Sequence, residues 1–155
     1  MAYQKLQTYQ AIQVIPDNNI TIPLPNIVAS GTTNGSGAFK LLDSSAKFLT
    51  TASVGDIIYS GTLAGRDAIT TVTAVDSNIQ LSVATAVAVT KNYDIYSKGL
   101  NEGCILYIGG TGDVVVETVG GNEVTFTGIQ GGTFMPVQVL KVKTTGTATN
   151  IIAMW

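Results

Sequence analysis

Residues 106–130 read LYIGGTGDVVVETVGGNEVTFTGIQ, and this stretch decides the fold class. Runs of valine, isoleucine, threonine and aromatic residues, which favour strands, are separated by glycine pairs that favour tight turns. A turn signal about every eight to ten residues is typical of sandwiches and jelly rolls. The stretch therefore predicts an antiparallel meander, and it contains no apolar pattern with a helical period.

The same punctuation continues outward in both directions and predicts strands along most of the chain. The only helical candidate is a turn at 43–48, with Asp43 or Ser44 as its cap. The fold class that follows is all-β. The predicted strands are 9–15, 19–24, 55–59, 69–75, 79–83, 93–96, 104–108, 113–118, 123–128, 134–144 and 150–155.

Two linker-like segments divide the chain. Residues 29–37, ASGTTNGSG, have the composition of a flexible linker, and KGLNE at 98–102 is a second break. The segment between them contains a hairpin at 69–83 and suits a small SH3-like or OB-like barrel. The last zone is short for a closed sandwich, so the alternating N-terminal strands are expected to complete it. We therefore predict a jelly-roll-like β-sandwich from 1–33 and 99–155, with a barrel inserted at 34–98.

Composition narrows the possible functions. Charged residues make up 12% of the chain and hydrophobic residues 45%, against a usual charged share of about 25%. Much of the surface is therefore expected to be weakly polar or buried against other subunits. The net charge is −2 and the eight cations are scattered, which argues against nucleic-acid binding. No apolar run approaches the length of a membrane helix, so no membrane partner is expected.

The residue types needed for catalysis are scarce. The chain has no histidine and one cysteine, Cys104, which removes a Ser–His or Cys–His nucleophile. Most carboxylates sit in turns, where they usually bond their own backbone. Glu117 and Glu123 flank a hairpin, but such pairs are usually solvated. The GGTGD stretch at 109–113 lacks the lysine and the helix of a phosphate loop. We predict no enzyme activity, no catalytic residues, no cofactor and no metal.

The C-terminal third resembles the spike-base proteins of gene transfer agents and small head proteins of tailed phages. Those proteins carry a Y/N-V-G-G-x-G stretch and then a G-x-x-V-T-F strand. A segment of the form G-x-x-x-P-V/L-x-V-x-x-V follows, and their chains end as T-G-T-T-A-x-x-I-V-A-L-W/Y. The matching positions are Tyr107, Gly109, Gly110, Gly112, Val124, Thr125, Phe126, Gly132, Pro136, Val137, Val139, Val142, Thr145, Gly146, Thr147, Ala148, Ile151, Ala153 and Trp155.

The middle zone resembles an insert found in phage structural proteins, of the form L-x-D-S-x-A-x-F, then V-G-D-I, V-T-A-V-D-S and Y-x-I-Y. The spike-base family lacks this insert. The resemblance implies a virion structural protein, made in the host cytoplasm, such as a capsid decoration, cement or spike-base subunit. It implies major capsid or other virion proteins as partners, a homo-oligomer such as a trimer or pentamer, and no cofactor.

Two questions stay open at this stage. The N-terminal arm can be a strand of its own sandwich or a strand added to a neighbour. A receptor- or carbohydrate-binding tail or neck module is the alternative function, because tyrosines can line a sugar groove.

In the last segment, NIIAMW, both faces of the predicted strand are apolar, which predicts burial on both. The residues expected to form core and interface contacts are Trp155, Ile151, Ile152, Met154, Pro136, Phe134, Tyr107, Tyr3 and Tyr9.

Overall fold

The structure, a computed structural model, describes residues 8–35, 37–62, 65–99 and 101–155. Strand makes up 53% of the described residues and helix 3%, so the predicted all-β class is confirmed. There are two antiparallel sheets, one curled into a half-barrel, consistent with a β-sandwich that has a barrel-like part. The elements described are β1 (Ala11–Gln13), β2 (Ile27–Thr32), β3 (Lys40–Leu42), α1 (Phe48–Thr51), β4 (Ile57–Thr62), β5 (Gly65–Ser77), β6 (Gln80–Val83), β7 (Asn92–Tyr96), β8 (Cys104–Gly110), β9 (Gly112–Thr118), β10 (Glu123–Ile129), β11 (Thr133–Val142) and β12 (Thr149–Met154).

The chain divides into two compact units. The terminal unit comprises Met1–Asn18 and Asn101–Trp155, and the middle unit comprises Asn19–Leu100. The middle unit therefore begins earlier than the predicted residue 34. The reason is that β2 pairs with β7 along its length, from Ile27 opposite Tyr96 to Thr32 opposite Asn92.

Other local predictions differ from the structure for related reasons. Much of the supposed linker at 29–37 lies in β2, where small residues pair through their backbone. Residues 19–24 form no strand, and the predicted helical turn at 43–48 is replaced by α1, which starts at Phe48. At 29–37 the composition indicated flexibility, but pairing of β2 with the distant strand β7 decided the outcome.

The sheet of the terminal unit has the strand order β1-β12-β8-β11-β9-β10. Alternate residues of each strand point to opposite sides of a sheet, and here one side forms the core. On β8 the buried residues are Cys104, Leu106 and Ile108, and on β12 they are Ile151 and Ala153. The register places Ile151 opposite Ile108 and Ala153 opposite Leu106, so the two strands bury the same face.

A tight hairpin joins β9 to β10. The Gly121 N–H donates to the Thr118 carbonyl and the Thr118 N–H donates to the Asn122 carbonyl, each at 2.9 Å. Gly121 has φ +79°, a conformation that glycine adopts without strain. This is a type I turn closed by a glycine bulge, and the turn that the Gly-Gly pair predicts is therefore formed.

The sheet of the middle unit has the order β2-β7-β4-β5-β6-β3. A bridge between Gly35, which follows β2, and Leu42 of β3 links its two edges. The Asn34 N–H also donates to the Leu42 carbonyl at 3.0 Å. These contacts curl the sheet around a core of its own. That core consists of Leu41, Phe48, Ile58, Val72, Leu81, Val83, Tyr93 and Ile95.

One buried polar group lies beside this core. Asp43 is 2% exposed, and its carboxylate accepts a hydrogen bond of 2.7 Å from the Tyr93 hydroxyl. The Ser45 N–H and hydroxyl donate to its other oxygen at 2.9 and 2.6 Å. Burial raises the pKa of Asp43, but these hydrogen bonds outweigh burial and leave the pKa below its usual value.

Candidate functional site

The outer side of the terminal sheet carries a group of apolar side chains. On β8, Ile105 and Tyr107 alternate with buried residues and therefore point away from the core. The same alternation on β12 turns Ile152 and Met154 outward. We call this group the apolar face, and it consists of Ile105, Tyr107, Phe134, Pro136, Ile152 and Met154.

Strand register brings these residues together across three neighbouring strands. Tyr107 lies opposite Ile152 on one side and opposite Phe134 on the other. The Tyr107 and Phe134 rings are 5.1 Å apart between centroids and tilted by 57°, a spacing typical of attractive aromatic pairs. Met154 lies opposite Ile105. The face is therefore one contiguous patch.

An open groove of about 300 Å³ runs across the apolar face. Its lining residues are Thr8, Ile105, Phe134, Pro136 and Met154. Phe134 is 59% exposed. Leaving an aromatic ring in water forgoes the favourable free energy that its burial would contribute. The lining residues that the structure describes are uncharged and mostly apolar, so this part of the groove is suited to apolar contact.

The predicted interface residues lie in different parts of the terminal unit. Tyr107, Phe134, Pro136, Ile152 and Met154 belong to the apolar face. Ile151 is part of the core. Among the described residues, β12 is buried on one face and partly exposed on the other. Burial of the second face between subunits stays a prediction. Tyr9 is 83% exposed, and Tyr3 lies outside the described residues.

Trp155 is held at the end of β12 by backbone hydrogen bonds. The Trp155 N–H donates to the Gln10 carbonyl at 3.1 Å, and the Tyr9 N–H donates to the Trp155 carbonyl at 2.8 Å. The indole Nε1 is buried without an acceptor among the described residues. Of the arm's two open interpretations, β1 (Ala11–Gln13) follows the first, as a strand of its own sheet.

Two residues of the groove were missed at the level of sequence, Thr8 and Ile105. Ile105 lies in the predicted strand 104–108, but the alternation in CILYIGG does not indicate which of the two strand faces is covered. Thr8 precedes the predicted strand and has no pattern that distinguishes it.

Glu117, one of the two glutamates that flank the hairpin, is tied to two lysines. Lys141 Nζ lies 3.0 Å and Lys143 Nζ 3.3 Å from Glu117 Oε2. Hydrogen bonds from Lys141 and then Lys143 hold the pKa of Glu117 below its usual value. A general acid of a glycosidase needs a raised pKa, so the geometry favours a structural ion pair at this position.

The remaining chemical candidates are the cysteine and the possible metal ligands. Cys104 is buried, and burial raises the pKa of its thiol to about 12, so almost none of it is thiolate at neutral pH. Within the described ranges, no cluster of three or more Asp, Glu or Cys side chains has the geometry to hold a metal. Over the same residues, no helix has the length and hydrophobicity that crossing a membrane requires.

Comparison with protein-family models, with curated proteins and with solved structures finds no match to this chain.

Proposed function

We propose that the protein is a structural component of a phage-like virion, a capsid decoration, cement or spike-base subunit that acts through subunit contacts. The single observation that carries the proposal best is the apolar face with its 59% exposed Phe134. Contiguous exposed apolar patches on soluble proteins usually mark interaction sites. The resemblance of residues 106–155 to spike-base and head proteins points to major capsid or other virion proteins as the partners.

The chemistry of the face suits attachment by many modest contacts. Burying apolar surface stabilises a complex by roughly 25 cal/mol per Å², and aromatic residues near the centre of an interface often dominate its energy. Phe134 lies beside Tyr107 and the groove, so it is the expected anchor. In the assembled particle, the outward residues of β12 would then be covered, as the apolar pattern of NIIAMW predicts.

Particles produced from the genome that carries this gene provide the test. Cryo-EM of purified particles should show density for the protein in repeated copies on the head or its spikes. A Phe134→Ser variant should fold normally but be depleted from particles. Val119→Ser is the matched control, since Val119 is also exposed, at 46%, but lies in the hairpin turn. Absence of the wild-type protein from purified particles would refute the proposal.

A second function is favoured by one specific observation. The tilted Tyr107–Phe134 ring pair beside an open groove resembles the aromatic platforms on which sugar rings stack. If the protein is a receptor- or carbohydrate-binding module, a glycan array should reveal binding that Phe134→Ala abolishes. No binding by the wild-type chain on the array leaves the structural role as the supported one.

A further inference from the structure

Strand β10 forms one edge of the terminal sheet. Among the described residues it pairs with β9 alone, and it is the last strand in the sheet order. Most of its residues are exposed, on both sides of the sheet. Soluble proteins usually blunt such edges with lysine, proline or a bulge. Between Glu123 and Ile129 there is no lysine or proline, and the only irregularity comes after Phe126.

The hairpin geometry shows which backbone groups are available. Thr118 and Asn122 close the hairpin through a hydrogen bond. Opposite residues of antiparallel strands alternate between pairs that exchange backbone hydrogen bonds and pairs that do not. Counting from Thr118–Asn122, the pair Val116–Val124 is therefore hydrogen-bonded and the pair Val115–Thr125 is not.

The neighbouring strand confirms this alternation. The Val115 carbonyl accepts from the Lys143 N–H at 2.8 Å, so Val115 directs its backbone away from β10. By the same geometry, the N–H and carbonyl of Thr125 point away from β9, to the open edge. The backbone groups of Glu123, two residues earlier, point to the open edge in the same way. Thr127, two residues later, lies where the pairing with β9 becomes irregular.

Side chains at the same edge also lack cover. Val124 lies opposite the fully buried Val116, and Phe126 lies opposite the fully buried Val114. Even so, Val124 is 36% exposed and Phe126 is only partly buried. An additional strand beside β10 would shield both side chains and satisfy the outward backbone groups.

We propose that β10 pairs with β10 of a second copy of this chain, antiparallel and centred on Thr125. In this register the two copies of Thr125 exchange backbone hydrogen bonds across a two-fold axis. Charge selects the antiparallel orientation, because Glu123 is the only charged residue of the strand. It then faces Thr127 of the second copy, whereas a parallel pairing would place the two Glu123 carboxylates side by side.

This inference deepens the proposed function by naming the surface through which two copies of the subunit associate. Only the biological role of the dimer rests on the proposed function. It is tested on purified full-length protein without any particle. A failure here would therefore leave particle incorporation as a separate result, and a failure of incorporation would leave the dimer intact.

Cross-linking tests the register. A Thr125→Cys variant treated with a short bis-maleimide should form a covalent dimer, since bonded antiparallel partners have Cα atoms about 5.5 Å apart. The native Cys104 is buried and unreactive, which provides a clean background. Val119→Cys, in the exposed turn, is the control and should remain uncoupled. Equal cross-linking of the two variants would overturn the proposal.

Analytical ultracentrifugation tests the backbone contact. Thr125→Pro removes an N–H that β9 does not use, and it should weaken the dimer by at least about tenfold. Thr125→Val keeps the N–H and a β-branched side chain, so its dimer should match the wild type. Circular dichroism verifies that both variants are folded. A monomeric wild-type chain, a trimer or pentamer without the Thr125→Cys cross-link, or equal dimerisation of the two variants would overturn the proposal.

Discussion

At position 31, a buried hydrogen bond between two other side chains restricts the residue to glycine. A Cβ at this position would overlap Asp43 Oδ2 and lie 2.7 Å from the Tyr93 hydroxyl. Real Cβ atoms do not approach that closely, so only glycine leaves the hydrogen bond between the two side chains undisturbed. In the sequence, Gly31 reads as part of a flexible linker, although it lies in β2 opposite Tyr93.

We expect Gly31→Ala to lower the free energy of unfolding by about 1–3 kcal/mol, because it separates Tyr93 from the buried Asp43 carboxylate. Gly120→Ala is the matched control, since its Cβ would be no closer than 3.4 Å to the Asn122 amide and 3.8 Å to the Thr118 hydroxyl. Urea denaturation of both variants measures the difference. Equal stability of the two variants would contradict this account of Gly31.

Stability should fall at acid pH. The pKa values of Asp43 and Glu117 lie below their ordinary values of 3.8 and 4.5, and the pKa of Asp76 is about 2. Hydrogen bonds from Gln80, Lys40 and Ser82 lower the pKa of Asp76. Carboxylates with depressed pKa values stabilise the fold above their unfolded pKa, and that stability is lost as the pH falls through the folded pKa.

The expected result is a progressive loss of urea resistance from about pH 4.5 down to about pH 2, with little change between about pH 5 and 7. Glu117→Gln should make the acid loss smaller, because it removes one titrating group. The measurement is the urea midpoint at each pH. A midpoint that stays constant or rises on acidification would contradict the assignment.

Among the elements, β12 joins two parts of the terminal sheet. It lies between β1 and β8, and it contributes Ile151 and Ala153 to the core. Its two faces differ although both are apolar, because only one faces the packed interior. This difference predicts opposite roles for two adjacent isoleucines, one in stability and the other in association.

We expect Ile151→Ala to reduce the free energy of unfolding by about 2–4 kcal/mol, because it leaves a cavity in the core. Ile152→Ala, on the partly exposed outer face, should cost clearly less. Thermal or urea unfolding of both variants provides the comparison. Similar losses in both variants would indicate that the outer face is also buried in solution.

Deleting residues 150–155 should give insoluble or unassembled protein. The deletion removes the neighbour of β1 and uncovers Leu106 and Ile108 of β8. The soluble fraction after expression and the elution volume in size exclusion report the outcome. A soluble truncated protein that assembles normally would show that β12 is dispensable.

At the scale of the whole molecule, each unit has its own sheet and its own buried side chains. One core cluster of the middle unit has eight buried residues, and all eight come from the unit's own segment. A domain with a core of its own can in principle fold alone. The two units are therefore expected to be separable.

We expect the fragment 19–100 to fold by itself, with a dispersed amide NMR spectrum and a cooperative thermal transition. A terminal unit made by joining residues 18 and 101 through a short Gly-Ser linker should do the same. The full-length chain measured under the same conditions is the control. A fragment 19–100 without cooperative unfolding would show that its core depends on the terminal unit.

Local sequence determined the all-β class and several strands of this protein. Period-2 alternation and β-branched runs predict β8, β9, β10 and β12, and the Gly-Gly pair predicts the turn in which Gly121 has positive φ. These features depend on backbone sterics and on neighbours a few residues away. For the same reason most members of the apolar face, such as Phe134 and Met154, were recognised as interface candidates from sequence.

Tertiary structure alone decided which segments pair and which faces are covered. β11 lies between β8 and β9 in the sheet, and β2 joins the middle unit, although neither placement has a local signal. Alternation defines two faces of a strand but not which one another layer covers, so the exposure of Phe134 and of the β10 edge appears only in the folded chain. The physical reason is that burial and strand pairing depend on contacts between residues far apart in sequence, which no local pattern encodes.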